Sequence, residues 1–423
     1  MRRRRTSRKG ECAVNGRGGP GGCGPVDVMV HDYAGHPFQW QLSKAMARRG
    51  LRVVHAYFAA CATPQAEFIV GTAERDNLRV EPVSARAADK QSVLSRLTSD
   101  WSYARAIASV VRAYAPRVVL SGNAPLPAQK EILKEVRRLD SRCVFWLQDI
   151  ISRAGAHVLR RKIGSVLAWP LVRAATLQER HLVRSFDGVV AVSEDFLPWI
   201  ESTNAGREDT DVIENWAPVE EIPVVDKSRS VWAREHDLEG KFVFLYSGTL
   251  GFKHRPEYLL QIAREFRADP SVRVVVNTEG AGADWLRQRA AEEGLDNIQI
   301  NGFQSFSQMP DVMGAADVLV AILEESAGAF SVPSKVLTYH CSGRPILLIA
   351  PRDNLAVRIV DREVSGWTVD VRTPGEEDLP SLLDRIRNDE SERHRRGKHG
   401  RAYAERAFEI ESITDRFLKI LEV

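Results

Sequence analysis

Short apolar runs alternate with helix-patterned segments along the chain, and this alternation constrains the fold more than any other feature. In the first half, predicted strands occupy 26–30, 51–58, 117–120, 143–147, 187–193 and 210–214, with helical patterns at 38–49, 101–114 and 127–138. Strands that alternate with helices pair in parallel through right-handed crossovers. The pattern therefore predicts a doubly wound α/β sheet.

The pattern stops at 217–240, where Pro218, Pro223 and a polar run intervene, and then starts again. Further strands are predicted at 242–246, 272–277, 298–300, 318–323, 345–350 and 367–371, and the end is helical from about 391. We predict two Rossmann-like lobes, 26–216 and 241–400, joined by the linker 217–240. A C-terminal helix, 401–423, is expected to pack back on the N-terminal lobe. Ligands should bind at the carboxyl ends of the strands, in a cleft between lobes.

Charge and cysteine usage exclude several classes of protein. The formal charge of +3 is concentrated in an Arg/Gly-rich start, 1–25, which we interpret as a disordered tail, and the remainder is mildly acidic. A nucleic-acid partner is therefore not expected. Five scattered cysteines without a C-x-x-C pair predict a reduced, cytosolic protein without disulfides or a zinc knuckle. No apolar run approaches the roughly 20 residues of a membrane span, and no signal peptide is visible.

Three motifs are better explained without a ligand. The G-x-G-x-x-G at 16–21 lies in polar coil and lacks the preceding strand that a dinucleotide loop requires. The D-x-D at 209–211 precedes a short strand near the linker, where a surface turn is expected. His31 and His36 with Asp32 could suggest a metal, but no further ligand has a fitting spacing. We therefore predict no metal site and assign Gly35 and His36 to a loop facing the cleft.

The strand at 242–246 is followed by the turn that carries the most chemistry. Ser247, Gly248 and Gly251 lie between this strand and a helix that begins near Pro256, a residue favoured in the first helical turn. The glycines let backbone N–H groups approach a ligand, and the helix N-terminus favours an anion. Positive charge from Lys253, His254 and Arg255 lies beside them. A phosphate group is the predicted guest, and a tight turn with solvated basic residues is the alternative.

A second strand-to-helix connection has the same character. Ser331 and Ser334 can cap the helix over 334–341, and Lys335 lies in its first turn. A cation is unfavourable there unless an anion is close. We therefore expect the same phosphate group at this helix, although a lysine that simply points to solvent is the alternative.

Together with these turns, several segments occur in the order found in retaining glycosyltransferases of family 4, which have the GT-B fold. The chain therefore resembles that family. The segments are HDYAGHPFQWQLSKAMARRGL at 31–51, VVAVSEDF at 189–196, VIENWAP at 212–218, YSGTLG at 246–251, MPDVMGAADVLVAIL at 309–323 and SVPSKVLTYHCSGRPIL at 331–347. The resemblance covers about residues 26–420. It implies that the C-terminal lobe holds a nucleotide-sugar and the N-terminal lobe an acceptor.

The resemblance also implies roles for individual residues. Lys253 would be the diphosphate cation, and Asp149 would contact the acceptor. The remaining donor-binding positions would be Ser247, Gly248, Gly251, His254, Glu279, Gly280, Phe303 (as the base platform), Val332, Ser334, Lys335 and Thr338. No metal or other cofactor is implied, and the donor would carry UDP or GDP.

The chain departs from the family pattern in two places. Phe330 and Thr338 stand at the places of two family glutamates, with Glu324 or Glu325 as candidates to face the sugar instead. Gln148 and Asp149 stand where the family has a histidine. A nucleotide-sugar epimerase of the same fold and a non-catalytic nucleotide-sugar-binding protein therefore remain alternatives to a glycosyltransferase acting on a lipid-linked or polysaccharide acceptor.

Residues 152–184 combine seven basic side chains with a single acidic one, Glu179, and with interleaved apolar positions. A basic amphipathic segment of this kind can lie on an anionic membrane. The alternative is a core-packing helix with a solvated basic face. We expect a cytoplasmic protein, with this segment as the candidate for peripheral contact with the membrane.

Overall fold

The computed structural model describes residues 25–61, 65–86, 93–203, 209–251, 254–324, 334–372 and 379–423. The N-terminal lobe contains strands β1 Val28–Asp32, β2 Val53–Phe58, β3 Leu78–Val83, β4 Val118–Ser121, β5 Arg142–Leu147, β6 Gly188–Ala191 and β7 Thr210–Val212. The C-terminal lobe contains β8 Phe242–Ser247, β9 Val272–Asn277, β10 Ile298–Asn301, β11 Val318–Ile322, β12 Ile346–Ala350 and β13 Gly366–Asp370.

All described strand pairs are parallel. The strand order is β3-β2-β1-β4-β5-β6-β7 in the first sheet and β10-β9-β8-β11-β12-β13 in the second. Strands β1 and β8 therefore occupy equivalent positions. Strand β1 lies between β2 and β4, and β8 lies between β9 and β11. This architecture confirms the predicted pair of Rossmann-like lobes.

Helices connect the strands and cover both faces of each sheet. They are α1 Pro37–Arg48, α2 Val93–Tyr114, α3 Leu126–Arg138, α4 Ile151–Ile163, α5 Ser165–Ser185, α6 Leu197–Ser202, α7 Val231–Glu235, α8 Glu257–Glu265, α9 Ala281–Glu293, α10 Met309–Gly314, α11 Ser334–Cys341, α12 Leu355–Arg362, α13 Leu379–Asn388, α14 Glu390–Ala407 and α15 Ile410–Leu421.

The structure corrects four details of the sequence prediction. Strand β3 was missed because its charged residues and Pro82 suit an edge strand, whose burial is incomplete. The segment 152–184 contains two helices, separated by Gly164 at φ +81°. The linker 217–240 includes α7, whose Trp232 is buried. The boundary predicted at 401 falls inside α14, and the final helix is α15. Residues 1–24 of the predicted tail lie outside the described residues.

Aromatic packing joins the end of the chain to the N-terminal lobe. The ring centroids of Phe417 on α15 and Trp146 on β5 are 4.7 Å apart. Trp146 also stacks on Trp216, with a distance of 5.7 Å between their ring centroids. Arg49, at the end of α1, also pairs with Glu411 of α15 at 2.7 Å. Since α14 packs on α11 of the C-terminal lobe, α14 and α15 tie the two lobes together.

An ion pair shows how the lobes face each other. Asp195 follows β6, Arg358 lies in α12 after β12, and their side chains pair across the gap between the lobes. The carboxyl ends of both sheets therefore meet at this cleft. That is where the switch-point rule places ligands of doubly wound sheets.

Candidate active site

Strand β8 ends in a turn that is held by its own neighbours. Gly248 has φ +127°, a conformation that side chains rarely adopt, and its N–H donates to the Asn277 carbonyl at 2.9 Å. The Tyr246 hydroxyl donates to the Thr249 carbonyl at 2.7 Å. The Gly251 N–H donates to Nδ1 of His254 at 3.0 Å. Predicted as a ligand contact, His254 thus helps to shape the turn itself.

Helix α11 is anchored on the end of β8 through a single tyrosine. The buried hydroxyl of Tyr339 accepts from the Ser247 N–H at 3.0 Å and donates to the Ser247 carbonyl at 3.3 Å. Lys335 lies one helical turn earlier, on the same face of α11. Its side chain is consequently directed over the β8 turn.

The Lys335 ammonium lies beside Gly248. A Cβ atom at position 248 would lie 3.1 Å from Lys335 Cε and 3.4 Å from Nζ, so only glycine leaves this space open. Nζ also lies 3.3 Å from the centroid of the Tyr246 ring. The β8 turn, 247–251, and the start of α11 therefore lie together, whereas residues 325–333 of the second connection lie outside the described residues.

The side chain of Lys335 is partly buried against the aromatic ring of Tyr246. Burial lowers the pKa of the Lys335 ammonium well below its ordinary value, since desolvation disfavours the charged form. Among the residues that the structure describes, no carboxylate forms an ion pair with it. An anion placed over Gly248 would favour the charged form of Lys335.

The edge formed by β9 and β10 brings three further predicted residues together. Glu279 Oε1 accepts from the Phe303 N–H at 3.1 Å, and the Phe303 ring is 42% exposed. Gly280, at φ +84°, caps the N-terminus of α9. The β8 turn packs on the same helix, because a Cβ at Gly282 would lie only 2.0 Å from the Leu250 carbonyl oxygen. This edge thus adjoins the Lys335 site.

Other predicted donor residues have different surroundings. Lys253 and Val332 lie outside the described residues, as do Glu325 and Phe330. Ser334 is exposed at the start of α11, and the Thr338 hydroxyl donates to the Ser334 carbonyl at 3.2 Å. This bond is internal to α11, although Thr338 remains half-exposed.

In the N-terminal lobe, the loop after β1 is folded around a buried carboxylate. Asp32 Oδ1 accepts from the N–H groups of Ala34 at 3.2 Å and Gly35 at 3.0 Å, and from His36 Nδ1 at 3.0 Å. Burial raises the pKa of Asp32, but the bonds and charge of His36 and the charge of His55 outweigh it and hold that pKa below its usual value. Gly35, at φ +78°, closes the loop.

Asp149 stands in the short connection between β5 and α4. Its side chain is exposed, and its backbone carbonyl accepts from Asn123 Nδ2 at 2.8 Å. The same amide side chain accepts from the Gln148 N–H through Oδ1 at 2.9 Å. Asn123 therefore holds this connection, with the exposed Asp149, at the carboxyl edge of the first sheet.

A cavity of about 530 Å³ lies between the lobes on the side of α1. Its walls include Trp40 and Lys44 of α1 together with Phe306 of the C-terminal lobe. Across the described ranges, no cluster of three or more His, Cys, Asp or Glu side chains has the arrangement to hold a metal ion.

Sequence reasoning overlooked the residues that position this site. Tyr246, Tyr339 and Gly282 hold α11, the β8 turn and α9 together, and Asp32 organises the loop after β1. One signal was present for Tyr339, since it follows Lys335 by four residues and so shares its helical face. The partners of the others come from distant parts of the chain or depend on loop geometry.

Comparisons with known proteins bear on this site. Residues 228–403, which include the β8 turn and α11, match the model of the family "Glycosyl transferases group 1". The Escherichia coli (strain K12) protein "Putative colanic acid biosynthesis glycosyl transferase WcaI" is 24% identical over 182 residues, 43% of this chain and 44% of that one. The Pseudomonas aeruginosa protein "Probable glycosyltransferase WbjE" is 25% identical over 174 residues, 41% and 43% of the two chains. The matches span less than half the length of either relative.

Solved structures share the fold over nearly the whole chain. HepE from Anabaena, solved in complex with UDP and glucose, has a TM-score of 0.65 at 16% identity and covers 94% of this chain and 99% of that one. Sucrose-phosphate synthase from Thermosynechococcus elongatus has a TM-score of 0.69 at 12% identity, covering 94% and 98%. WaaG, a glycosyltransferase involved in lipopolysaccharide biosynthesis, has a TM-score of 0.63 at 13% identity, covering 93% and 99%. The architecture is the GT-B fold.

Proposed function

We propose that this protein is a glycosyltransferase that moves a sugar from a nucleotide-sugar to an acceptor with retention of anomeric configuration, as in family 4. The observation that carries the proposal is the position of the Lys335 ammonium over Gly248, where the β8 turn meets the start of α11. A partly buried lysine beside an open glycine turn suits a diphosphate. The family match over residues 228–403 supports the same lobe as the donor lobe.

In the proposed reaction, the bond between the anomeric carbon and the diphosphate oxygen breaks with oxocarbenium character. The departing nucleoside diphosphate takes the bonding electrons, and Lys335, Lys253 and the amides of the β8 turn stabilise the negative charge that develops there. The acceptor hydroxyl attacks the same face of the sugar that the diphosphate leaves. A phosphate oxygen of the leaving group takes the hydroxyl proton, and Asp149 orients the acceptor. No metal ion is needed in this scheme, because protein cations neutralise the leaving group.

The donor and the acceptor are proposed by chemistry and by analogy. The exposed Phe303 ring, whose backbone N–H donates to Glu279, offers a stacking surface for a nucleotide base. The complex of HepE contains UDP, which makes a UDP-sugar the first donor to test, followed by a GDP-sugar. The relatives WcaI and WaaG are described by colanic acid and lipopolysaccharide biosynthesis. We therefore propose a hexosyl or N-acetylhexosaminyl transfer to a lipid-linked or polysaccharide glycan on the cytoplasmic side of the cell envelope.

A panel of UDP-, GDP- and dTDP-sugars tests the proposal without knowledge of the acceptor. One class of donor should raise the unfolding temperature, because a ligand that binds only the folded protein stabilises it by mass action. That donor should then be hydrolysed slowly, releasing the nucleoside diphosphate. Hydrolysis should persist in EDTA, and loss of turnover in EDTA would contradict the metal-independent scheme.

The same panel separates the two alternatives. An epimerase would convert one sugar of the stabilising donor into its epimer without net loss of the nucleotide-sugar. A non-catalytic binding protein would be stabilised but would leave the donor unchanged. Either outcome would replace the glycosyltransferase proposal.

A further inference from the structure

Helices α4 and α5 form a hairpin whose tip is apolar and exposed. The two helices are separated only by Gly164, and they run antiparallel, since Arg153 and Arg160 of α4 face Arg180 and Val172 of α5 around a shared cavity. Large apolar side chains at the tip are exposed to solvent by more than half of their surface: Val166 by 85%, Leu167 by 68%, Trp169 by 61% and Leu171 by 55%. An exposed apolar group of this size marks an interaction surface.

The base of the hairpin is anchored in the lobe. The buried carboxylate of Glu179 accepts from the Ile151 N–H at 2.8 Å and the Ser152 N–H at 3.1 Å, which caps the start of α4. Leu182 and Val183, near the end of α5, belong to the hydrophobic core. The base of the hairpin is therefore part of the folded lobe, whereas the large apolar side chains at the tip lie outside the core.

The charge of the hairpin is positive on every exposed side that the structure describes. Arg153, Arg160 and Arg173 are exposed, and Arg173 lies over the Trp169 ring at 5.6 Å from its centroid. Glu179 is the sole acidic residue between 151 and 185, and it is buried at the base. An anionic surface would therefore meet arginines beside the apolar tip without any exposed carboxylate to repel it.

A basic cavity lies between the two helices. It has a volume of about 430 Å³, and Arg153, Arg160, Arg180 and Thr176 contribute to its walls. Within the described part of the chain, Nε of Arg180 is buried and has no hydrogen-bond partner. Three arginines around one cavity favour an anionic group such as a phosphate.

We propose that the α4–α5 hairpin docks the protein on an anionic phospholipid bilayer. The tip inserts Val166, Leu167 and Trp169 at the boundary between headgroups and acyl chains, and the arginines bind lipid phosphates around the cavity. The contact is interfacial, and none of the helices described in the structure is long and apolar enough to cross a membrane. This inference goes beyond the transferase proposal, since it concerns a surface apart from the donor site.

Co-sedimentation with vesicles tests the apolar part of the surface. The full chain should sediment with phosphatidylcholine vesicles that contain phosphatidylglycerol, and a Leu167→Ser/Trp169→Ser variant should bind at least tenfold more weakly. The matched control is Leu97→Ser/Trp101→Ser, because this pair on α2 is 50% and 44% exposed. Binding that is retained by the hairpin variant, or lost equally in the control, would overturn the proposal. Unchanged unfolding temperatures of both variants ensure that folding is intact.

The charge requirement is tested separately. Arg160→Gln/Arg173→Gln should weaken binding roughly tenfold or more and flatten its salt dependence, whereas Arg96→Gln/Arg105→Gln on α2 should not. Equal binding to vesicles of phosphatidylcholine alone would contradict the proposal. The proposal would also be contradicted if the protein did not bind vesicles but self-associated, and if the Leu167→Ser/Trp169→Ser variant lost that self-association. The tip would then bind a second copy of the chain. Stabilisation by a nucleotide-sugar should persist in all four variants, so failure here is distinguishable from failure of the proposed function.

Discussion

The two lobes have the same backbone feature after their equivalent strands, a junction between strand and loop, but the charged side chain at that junction has opposite sign. Strands β1 and β8 occupy equivalent positions in their sheets, and each is followed by a glycine with positive φ, Gly35 or Gly248. The last residue of β1 is Asp32, and its carboxylate accepts from the amides of the following loop. The last residue of β8 is Ser247, and across the described residues no carboxylate accepts from the amides of 248–251.

This difference supports the proposal that the C-terminal lobe binds the diphosphate. In the N-terminal lobe, the protein supplies its own anion, so the loop is complete and a bound phosphate would have to displace Asp32. In the C-terminal lobe, the structure places a basic side chain there instead, the partly buried Lys335, which has no carboxylate partner among the described residues. The first junction is completed by its own carboxylate. In the second, the Gly248 and Gly251 amides bond to Asn277 and His254, and the nearby charge is a cation without a described carboxylate partner.

The largest expected effect concerns the cation. Lys335→Met should lower kcat/KM for the donor by roughly 10²–10³-fold, since a preorganised group that stabilises the leaving charge is lost. The unfolding temperature of the ligand-free protein should not fall, because burying the ammonium is costly. Lys134→Met, on the exposed face of α3, is the matched control. Steady-state kinetics with donor hydrolysis would measure this, and normal turnover in Lys335→Met would refute the site.

Asp32→Asn should have the reverse profile. Removing the charge places an amide group against backbone N–H donors, so the free energy of unfolding should fall by about 2–3 kcal/mol. The affinity for the nucleotide should stay unchanged. Urea denaturation with Asp76→Asn as an exposed control provides the comparison. A destabilised protein that also loses nucleotide binding would show that the two junctions are not independent.

A smaller effect is expected from pH. Because burial lowers the pKa of Lys335 and a bound diphosphate should raise it again, binding takes up a proton at pH values above the lowered pKa. Affinity for the nucleoside diphosphate should then fall by up to about tenfold per pH unit as the pH rises. Lys335→Arg should remove this dependence, since arginine stays charged. Calorimetry in two buffers of different ionisation enthalpy measures the proton uptake, and equal heats in both would contradict this linkage.

The smallest effect is expected at the turn glycine. Gly248→Ala combines an unfavourable φ with a contact of 3.1 Å to Lys335 Cε, and should weaken nucleotide binding by about tenfold. Gly240→Ala, at φ +68° with nothing within 4 Å of the added methyl group, isolates the backbone cost. Equal nucleotide affinity in the two variants, measured by titration, would show that the space over Gly248 has no role.

The sequence predicted the lobes well because hydrophobic periodicity is a local signal. Along β8, Val243 and Leu245 enter one core while Phe244 and Tyr246 enter the other, so a wholly apolar run indicated a strand buried on both faces. Strand β3 lacked this signal because it lies at the edge. The basic segment 152–184 gave a correct charge pattern, but the break at Gly164 that creates an exposed tip was not visible in it.

By itself, the sequence determined which residue types follow each strand, and therefore that two lobes would present glycine turns, helix N-termini and lysines at their carboxyl edges. Only the tertiary structure decided that Lys335 reaches Gly248 while Asp32 turns back on its own loop. The physical reason is that the role of a charged side chain depends on the groups around it. Packing between elements that lie far apart in the chain brings these groups together. In the C-terminal lobe, the hydrogen bond between Tyr339 and Ser247, 92 residues apart, places α11 and its Lys335 over the β8 turn.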